Sequence, residues 1–554
     1  MTRSLLTVFV GMSVLCAATD SIQAQTAPPV GKRPGTTTRV LGSIIDDRTG
    51  EPLAARIYIE RDDGVWFFAT ATGQGASAVE YKKQRTRNPE SVEMHTTLSA
   101  HPFVAELPAG KYRFTIERGK EFHPESRQLV VGPEPQSVQF RLRRWIDLAA
   151  RGWYSGDTHV HRTLNELPNV MLAEDLNVAL PLLDWTTQSF VSPRAARTAA
   201  FVDAEPQPVF LDKTHVYYPR NTEYELFTVK ELRHTQGAFF ILNHRSVLDL
   251  SAPPVRAIAE QARREGALID LDKHNWPWSM MLIPIIKPDL FELSNNHIWR
   301  TEFAFPAYEQ SAAEYMQAER DEKGFTERGW LEFGWRSYYS LLNCGFRMRP
   351  SAGTASGVHP VPLGFSRVYV HCPDGFSYES WMAGLDKGRS FVTNGPMLFA
   401  EVDGQLPGHT FQIEQGRGRE FRIRGAAMNS RPLDRLEVVV NGEVVRTVPA
   451  ANRETSEGAF EAPLDETLAI EGTSWIAVRC FERRNDTRVR FAHTAPFHID
   501  VAGLPLRPRK VETDYLIERV REQIARNTGV LPDAALEEYR GALSAYEDIG
   551  RNAR

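Results

Sequence analysis

Apolar and polar residues alternate in short runs over the first quarter of the chain, a pattern that predicts strands rather than helices. In "LPAGKYRFTIERG", Tyr112, Phe114 and Ile116 fall on one face and Lys111, Arg113, Thr115 and Glu117 on the other, as in a half-buried strand. Val40 to Ile45 runs into the turn Asp46-Asp47-Arg48-Thr49-Gly50, and Ala54 to Ile59 follows. "QLVVG" and "VQFRLRRW" complete a small antiparallel sandwich expected over 39–145. From Ser155 the texture changes. A helical segment, Pro254 to Glu265, and apolar runs that close on polar residues, "GAFFILNH" and "ALIDLDKH", predict an α/β region over 146–400. Strands that end in a histidine or a carboxylate belong to the C-terminal rim of a (β/α) barrel, so a barrel is expected there. "RLEVVVNGEVVRTV" reads as a hairpin turning on Asn441-Gly442, and with "SWIAVRCFE" it predicts a second sandwich over 401–505. The tail, 506–554, is expected to be helical. Leu516, Val520 and Ile524 repeat at i, i+4, i+8 up to a stop at Asn527 to Gly529, and Leu536, Tyr539 and Leu543 follow Pro532. Both stripes read as packing faces.

Length and charge narrow this picture. A chain of 554 residues is too long for one domain, and Lys+Arg 65 against Asp+Glu 70 leaves a net charge of −5 with no block of like charges. Neither nucleic acid nor a membrane surface is expected as a partner. Arg3, the apolar run Leu5 to Ala18 and the small residue of Ile22-Gln23-Ala24 form a signal-peptide pattern over 1–24, followed by a Pro- and Thr-rich linker over 25–38. Cleavage near Ala24 and export to the periplasm or the medium are expected, with no span in the mature chain. Cys344, Cys372 and Cys480 would remain, an odd number at wide spacing that argues against a disulfide framework or a cysteine-based zinc site.

The candidate chemistry begins in "GWYSGDTHVHR". His159 and His161, two apart at an extended strand end, point to the same side and can reach one ion. Alone, H-x-H is a common pattern. Three further residues strengthen it: His244 closes "FFILNH", His274 closes "LIDLDKH", and Glu223 sits in "YYPRNTEYE", each where a barrel strand would deliver a side chain to the same rim. Neutral imidazoles with carboxylates suit zinc first, then manganese or iron, as one or two divalent ions; magnesium and calcium prefer oxygen cages.

"GDTHVHR" resembles the first metal motif of PHP (polymerase and histidinol phosphatase) domains. With "LDKHNWPWSMM", "FELSNNHIWR", "LLNCGFRMRPSAGTASGVHP" and "GRSFVTNGP" in order, the chain is similar to the CehA/McbA branch, PHP-like metallohydrolases named for carbaryl hydrolase, over roughly Trp145 to Gly408. The resemblance implies a distorted (β/α) barrel of PHP type that holds divalent metals and hydrolyses its substrate. It places His159 and His161 as the opening ligands, Glu223 as the bridging carboxylate with Glu225 a near competitor, and His244 and His274 at the later histidine positions. Asp184 in "LLDWT" takes the place of an aspartate whose partner histidine is replaced by Trp185. Where the family ends its metal set with Asp-x-His, this chain offers Ala355 or Ser356, with His359 nearby, so one or two ions are expected rather than three.

Lesser candidates are Asp157 as a hydrogen-bond acceptor behind the ligands, Glu292 and His297 as lining residues, and Arg220, Arg245 and Arg300 as anion binders. Trp276 and Trp278 read as packing around the site. Metal-activated water needs no covalent nucleophile, and the leaving group can take its proton from His274, from Asp184 or from water. Three readings follow: a hydrolase of a small molecule's amide, ester or carbamate bond, a metal-dependent phosphoesterase, and a non-catalytic exported binding protein with a lapsed site.

Overall fold

The strand over Gly110–Glu117 buries Tyr112, Phe114 and Ile116 while Lys111 and Arg113 face solvent, as its alternation predicts. It belongs to a computed structural model that describes residues 36–85, 88–197, 203–304, 312–415 and 418–554. The expected signal peptide, 1–24, lies outside the described residues. Two sheets occupy the N-terminal region. One joins Gln136–Leu142, Thr37–Asp46, Phe103–Pro108 and Thr70–Ala71; the other joins Ala78–Arg85, Asn88–Leu98, Ala55–Arg61, Gly110–Glu117 and Glu125–Val131. They enclose a core in which Phe140 stacks with both Phe103 and Phe114.

The central region is a mixed ladder. Strand β1 (Trp153–Val160) runs parallel to β2 (Val178–Gln188), and β2 parallel to β3 (Asn221–Val229). Strand β3 is antiparallel to β4 (Ala238–Leu242), and β4 to β5 (Leu268–Leu271). Parallel pairing resumes from β5 to β6 (Leu290–Ser294) and from β6 to β7 (Arg349–Ala352). The segment after β7 returns to the end of β1: Val160 bridges Ser356, Ala355 N–H donates to the His159 carbonyl at 2.7 Å, and His161 N–H donates to that of Ser356 at 2.9 Å. The antiparallel steps through β4 interrupt the all-parallel repeat of a regular (β/α) barrel. They arise because β3 and β4 are joined by a short connection, where a parallel pair needs a long crossover.

Strands β4 and β5 are buried throughout, which explains why "AFFIL" and "LIDL" read as apolar runs rather than as alternation. Helices packed along this ladder include α1 (Leu167–Ala173), α2 (Arg256–Glu265), α3 (Ser279–Ile286) and α4 (Glu327–Asn343). Helix α2 buries Ile258, Ala259 and Ala262 and stops at Gly266, whose φ of 72° suits glycine.

Past the ladder, Arg367–His371 pairs with the start of β1 and with Ser390–Thr393, which in turn pairs with Phe491–Thr494. One sheet of the C-terminal sandwich is thereby continuous with the central region. Its hairpin turns on Asn441 and Gly442, both at positive φ, as the sequence predicts. The tail forms α5 (Lys510–Asn527) and α6 (Asp533–Gly550), which share the central core through Leu516, Val520 and Tyr539. Tyr546 Oη donates to the Met280 carbonyl of α3 at 2.8 Å. The Glu538 carboxylate accepts from Val255 N–H at 2.9 Å and Arg256 N–H at 2.8 Å, so it caps α2 from outside. Cys344, Cys372 and Cys480 are free thiols. Among the described residues no helix is long and apolar enough to cross a membrane.

Glu538→Ala removes the acceptor for two otherwise unsatisfied donors at the start of α2. It is expected to lower stability by about 1 kcal/mol in a denaturant titration, and an unchanged midpoint would show that the tail contributes no cap.

Candidate metal centre

Strand β1 is buried along its whole length, so every polar group it carries needs a partner. Asp157 is satisfied four times. Its Oδ1 accepts from His159 N–H at 3.1 Å and Thr354 N–H at 3.2 Å, and its Oδ2 accepts from Thr354 Oγ1 at 2.6 Å and Gly364 N–H at 2.9 Å. The carboxylate therefore fixes the backbone of His159 and ties the end of β1 to the segment after β7. Gly353 permits that approach. A Cβ there would stand 2.1 Å from His159 Cβ and 2.4 Å from Glu292 Oε1, which no side chain can do.

His159 and His161 converge as their spacing predicts, with Nε2 atoms 3.3 Å apart. Glu223, brought alongside by the β2–β3 pairing, sets Oε2 at 3.2 Å from His161 Nε2 and Oε1 at 4.0 Å from His159 Nε2. Ligand atoms about 2.1 Å from a tetrahedral ion stand about 3.4 Å apart, so two of these three separations match the edges of one coordination shell. On its other side, His159 Nδ1 lies 3.1 Å from Glu292 Oε1 and 3.7 Å from Asp272 Oδ1. A carboxylate on the far nitrogen is the arrangement that fixes a metal-binding imidazole and raises its basicity.

Two further groups adjoin the first. His159, Asp272 and Glu292 lie close enough to share an ion, as do Glu223, Glu225 and Asp272. Lys273 Nζ enters the latter, in contact with Asp272 Oδ2, 3.0 Å from Glu225 Oε1 and 3.8 Å from Glu223 Oε1. Both oxygens of Glu223, Asp272 Oδ1 and Glu292 Oε2 are buried without a hydrogen-bond donor. Burial pushes Glu223 up to about 8 and Glu225 up to about 7, and it pushes His161 down to about 4. A divalent cation reverses the carboxylates' preference by rewarding their ionised form, and it matches that of the imidazoles, which bind it neutral. The donor set thus fits a divalent metal of the nitrogen-and-oxygen type.

The other expected residues are placed differently. His244 is fully engaged, Nε2 with Thr222 Oγ1 at 2.8 Å and Nδ1 with the Ser246 carbonyl at 2.7 Å. His274 is enclosed by Phe291, Trp330 and Phe333. Asp184 forms a bidentate pair with Arg197, 2.6 Å to Nε and 2.9 Å to Nη2. None of the three joins a group able to hold an ion among the described residues. Trp185 packs on His161 with ring centroids 4.8 Å apart, and His359 faces Trp299 at 5.1 Å. Asp272, Lys273 and the position of Glu292 behind His159 are what the sequence reading missed. The available signal was the pair Asp270 and Asp272 within "ALIDLDKH", two apart like the opening histidines.

No family model matches the chain, and no curated protein matches it. Among solved structures, it is similar to a two-domain protein from Bacteroides vulgatus ATCC 8482 containing a predicted PHP-like metal-dependent phosphoesterase. The alignment covers 63% of this chain and 94% of that one, at 10% identity and a TM-score of 0.29. A likeness of that size carries no argument about chemistry, which rests here on the chain's own side chains.

Gly353→Ala is expected to force His159 and Glu292 apart and to destabilise the protein by about 1–3 kcal/mol. Chemical denaturation together with metal content checks this; a variant equal to wild type in both would mean that the close approach does not shape the centre.

Proposed function

We propose that the chain is an exported, metal-dependent hydrolase of the CehA/McbA type, with a distorted PHP-like barrel over 146–400, acting on a carbonyl bond of a small molecule. One observation carries the reading: His159 Nε2, His161 Nε2 and Glu223 converge on one point while Glu292 holds the far nitrogen of His159 at 3.1 Å. Zinc is the first candidate and manganese the second. An ion of this kind polarises the scissile oxygen and brings the pKa of water from 15.7 to about 7.

The chain's residues would supply the rest. His159 and His161 act as neutral donors, which their burial favours. Glu292 orients His159, and Asp157 holds the strand end that carries it. Glu223, Glu225, Asp272 and Glu292 surround the centre, and their charge outweighs the Lys273 ammonium together with the two charges of a bound ion. That excess of negative charge favours a neutral ester, amide or carbamate over a phosphate dianion, which it would repel. The motifs over Trp145 to Gly408 and the signal-peptide pattern of 1–24 support the family and the export.

Purified protein is expected to turn over an aryl ester or aryl carbamate only when metal is present, and His159→Ala to abolish that turnover. Glu292→Gln should weaken metal affinity or activity by about 10–100-fold. Preference for an aryl phosphate would shift the assignment to a phosphoesterase. Indifference of every property to chelation would leave only the binding-protein reading.

A further inference from the structure

His159, Asp272 and Glu292 hold no second ion while His159 binds through Nε2, because a neutral imidazole has one acceptor nitrogen and its Nδ1–H is left for Glu292 at 3.1 Å. The other neighbouring group is the three carboxylates Glu223, Glu225 and Asp272, and the chain places its own cation among them. Lys273 is 4% exposed, and its Nζ meets one oxygen of each: Asp272 Oδ2 in direct contact, Glu225 Oε1 at 3.0 Å and Glu223 Oε1 at 3.8 Å. The Trp276 ring lies 5.0 Å from Nζ and adds a cation–π contact. We infer that the Lys273 ammonium takes the place of a second divalent ion, so that the centre is mononuclear, with its one metal on the His159, His161 and Glu223 side.

This rests on the metal reading above and makes it specific. The carboxylate oxygens divide accordingly. Asp272 Oδ2 is engaged by Lys273, whereas Glu223 Oε2 faces His161 Nε2 at 3.2 Å, where an ion would lie. A second divalent ion within the three carboxylates would stand against a buried ammonium, and that repulsion opposes its entry. The lysine also follows directly from the fold: β5 ends at Leu271, and the next two residues, Asp272 and Lys273, are both buried at that strand's end.

Metal stoichiometry of the full chain tests the inference without reference to turnover. Protein stripped with a chelator and reloaded with Zn²⁺ or Mn²⁺ is weighed by native mass spectrometry and assayed by elemental analysis. Wild type and Lys273→Arg are expected to hold one ion per chain, and Lys273→Met to hold two. Lys273→Gln serves as a second uncharged variant should Lys273→Met fail to fold, with circular dichroism as the check. Two ions in wild type overturn the inference, as does a single ion in both folded uncharged variants. No bound ion in wild type overturns it together with the metal reading, an outcome distinct from either of these.

Discussion

Crowding of carboxylates and imidazoles inside a region closed to water is the constraint on which the rest of the molecule turns. An ionised carboxylate moved into a protein interior loses several kcal/mol of hydration unless donors or cations replace its water. Each acidic group near the end of β1 meets this demand in its own way. Asp157 has four donors, and Asp270 takes Ser351 Oγ at 2.8 Å. Asp272 and Glu225 lean on Lys273. Glu223 and Glu292 keep oxygens with no donor at all, and those of Glu223 face the two histidines. Compensation by an ion makes binding and folding one equilibrium, because metal that binds only the folded chain stabilises it by mass action.

That constraint reaches into the N-terminal sandwich. Glu93 is fully buried between Tyr58, His95 at 3.0 Å and Arg300 of the central region at 2.9 Å; burial raises its pKa, but Arg300, His95 and Arg56 bring it below the ordinary carboxylate range. Arg56 pairs with Glu117 in its own sheet and with Glu174, just past the end of α1. Such buried pairs gain little net stability over apolar packing, but breaking one strands its partner at a cost of about 3–5 kcal/mol. They therefore fix how the two regions sit more firmly than they stabilise either.

How much of this the sequence disclosed depends on whether the information was local. Alternation named the faces of the 110–117 strand, Asn441-Gly442 named the hairpin of the C-terminal sandwich, and the i, i+2 rule brought His159 and His161 together. Glu223 was expected where a strand delivers its far end, but it is the third residue of β3, and the register that sets it opposite Trp185 of β2 is what brings it beside His161. His244 and His274 fit the same rule by position, but they lie two and three residues beyond their strands, where the rule no longer sets direction. There the chain turns one into a hydrogen-bond pair with Thr222 and the other into an aromatic cage. Glu292 lies inside a strand, and its role depends on β6 and β1 meeting across a sequence gap of 133 residues. No local pattern encodes a contact of that kind.

The segment after β7 shows why the flanking sandwich belongs to the frame of the centre. Gly357, with φ of 111°, runs so close to the His161 carbonyl that a Cβ would approach it to 2.3 Å. Its N–H donates to Tyr81 Oη at 2.9 Å, and that hydroxyl donates in turn to the His359 carbonyl. Arg162, the residue after His161, lays its guanidinium 3.6 Å from the Tyr81 ring. Tyr81 belongs to the N-terminal sandwich, yet its contacts on both sides bracket the second histidine of the pair. An independent binding module would leave the ligands to their own strand. Here the strand end that presents His161 is held from above by another sheet, so the sandwich takes part in setting the ligand geometry.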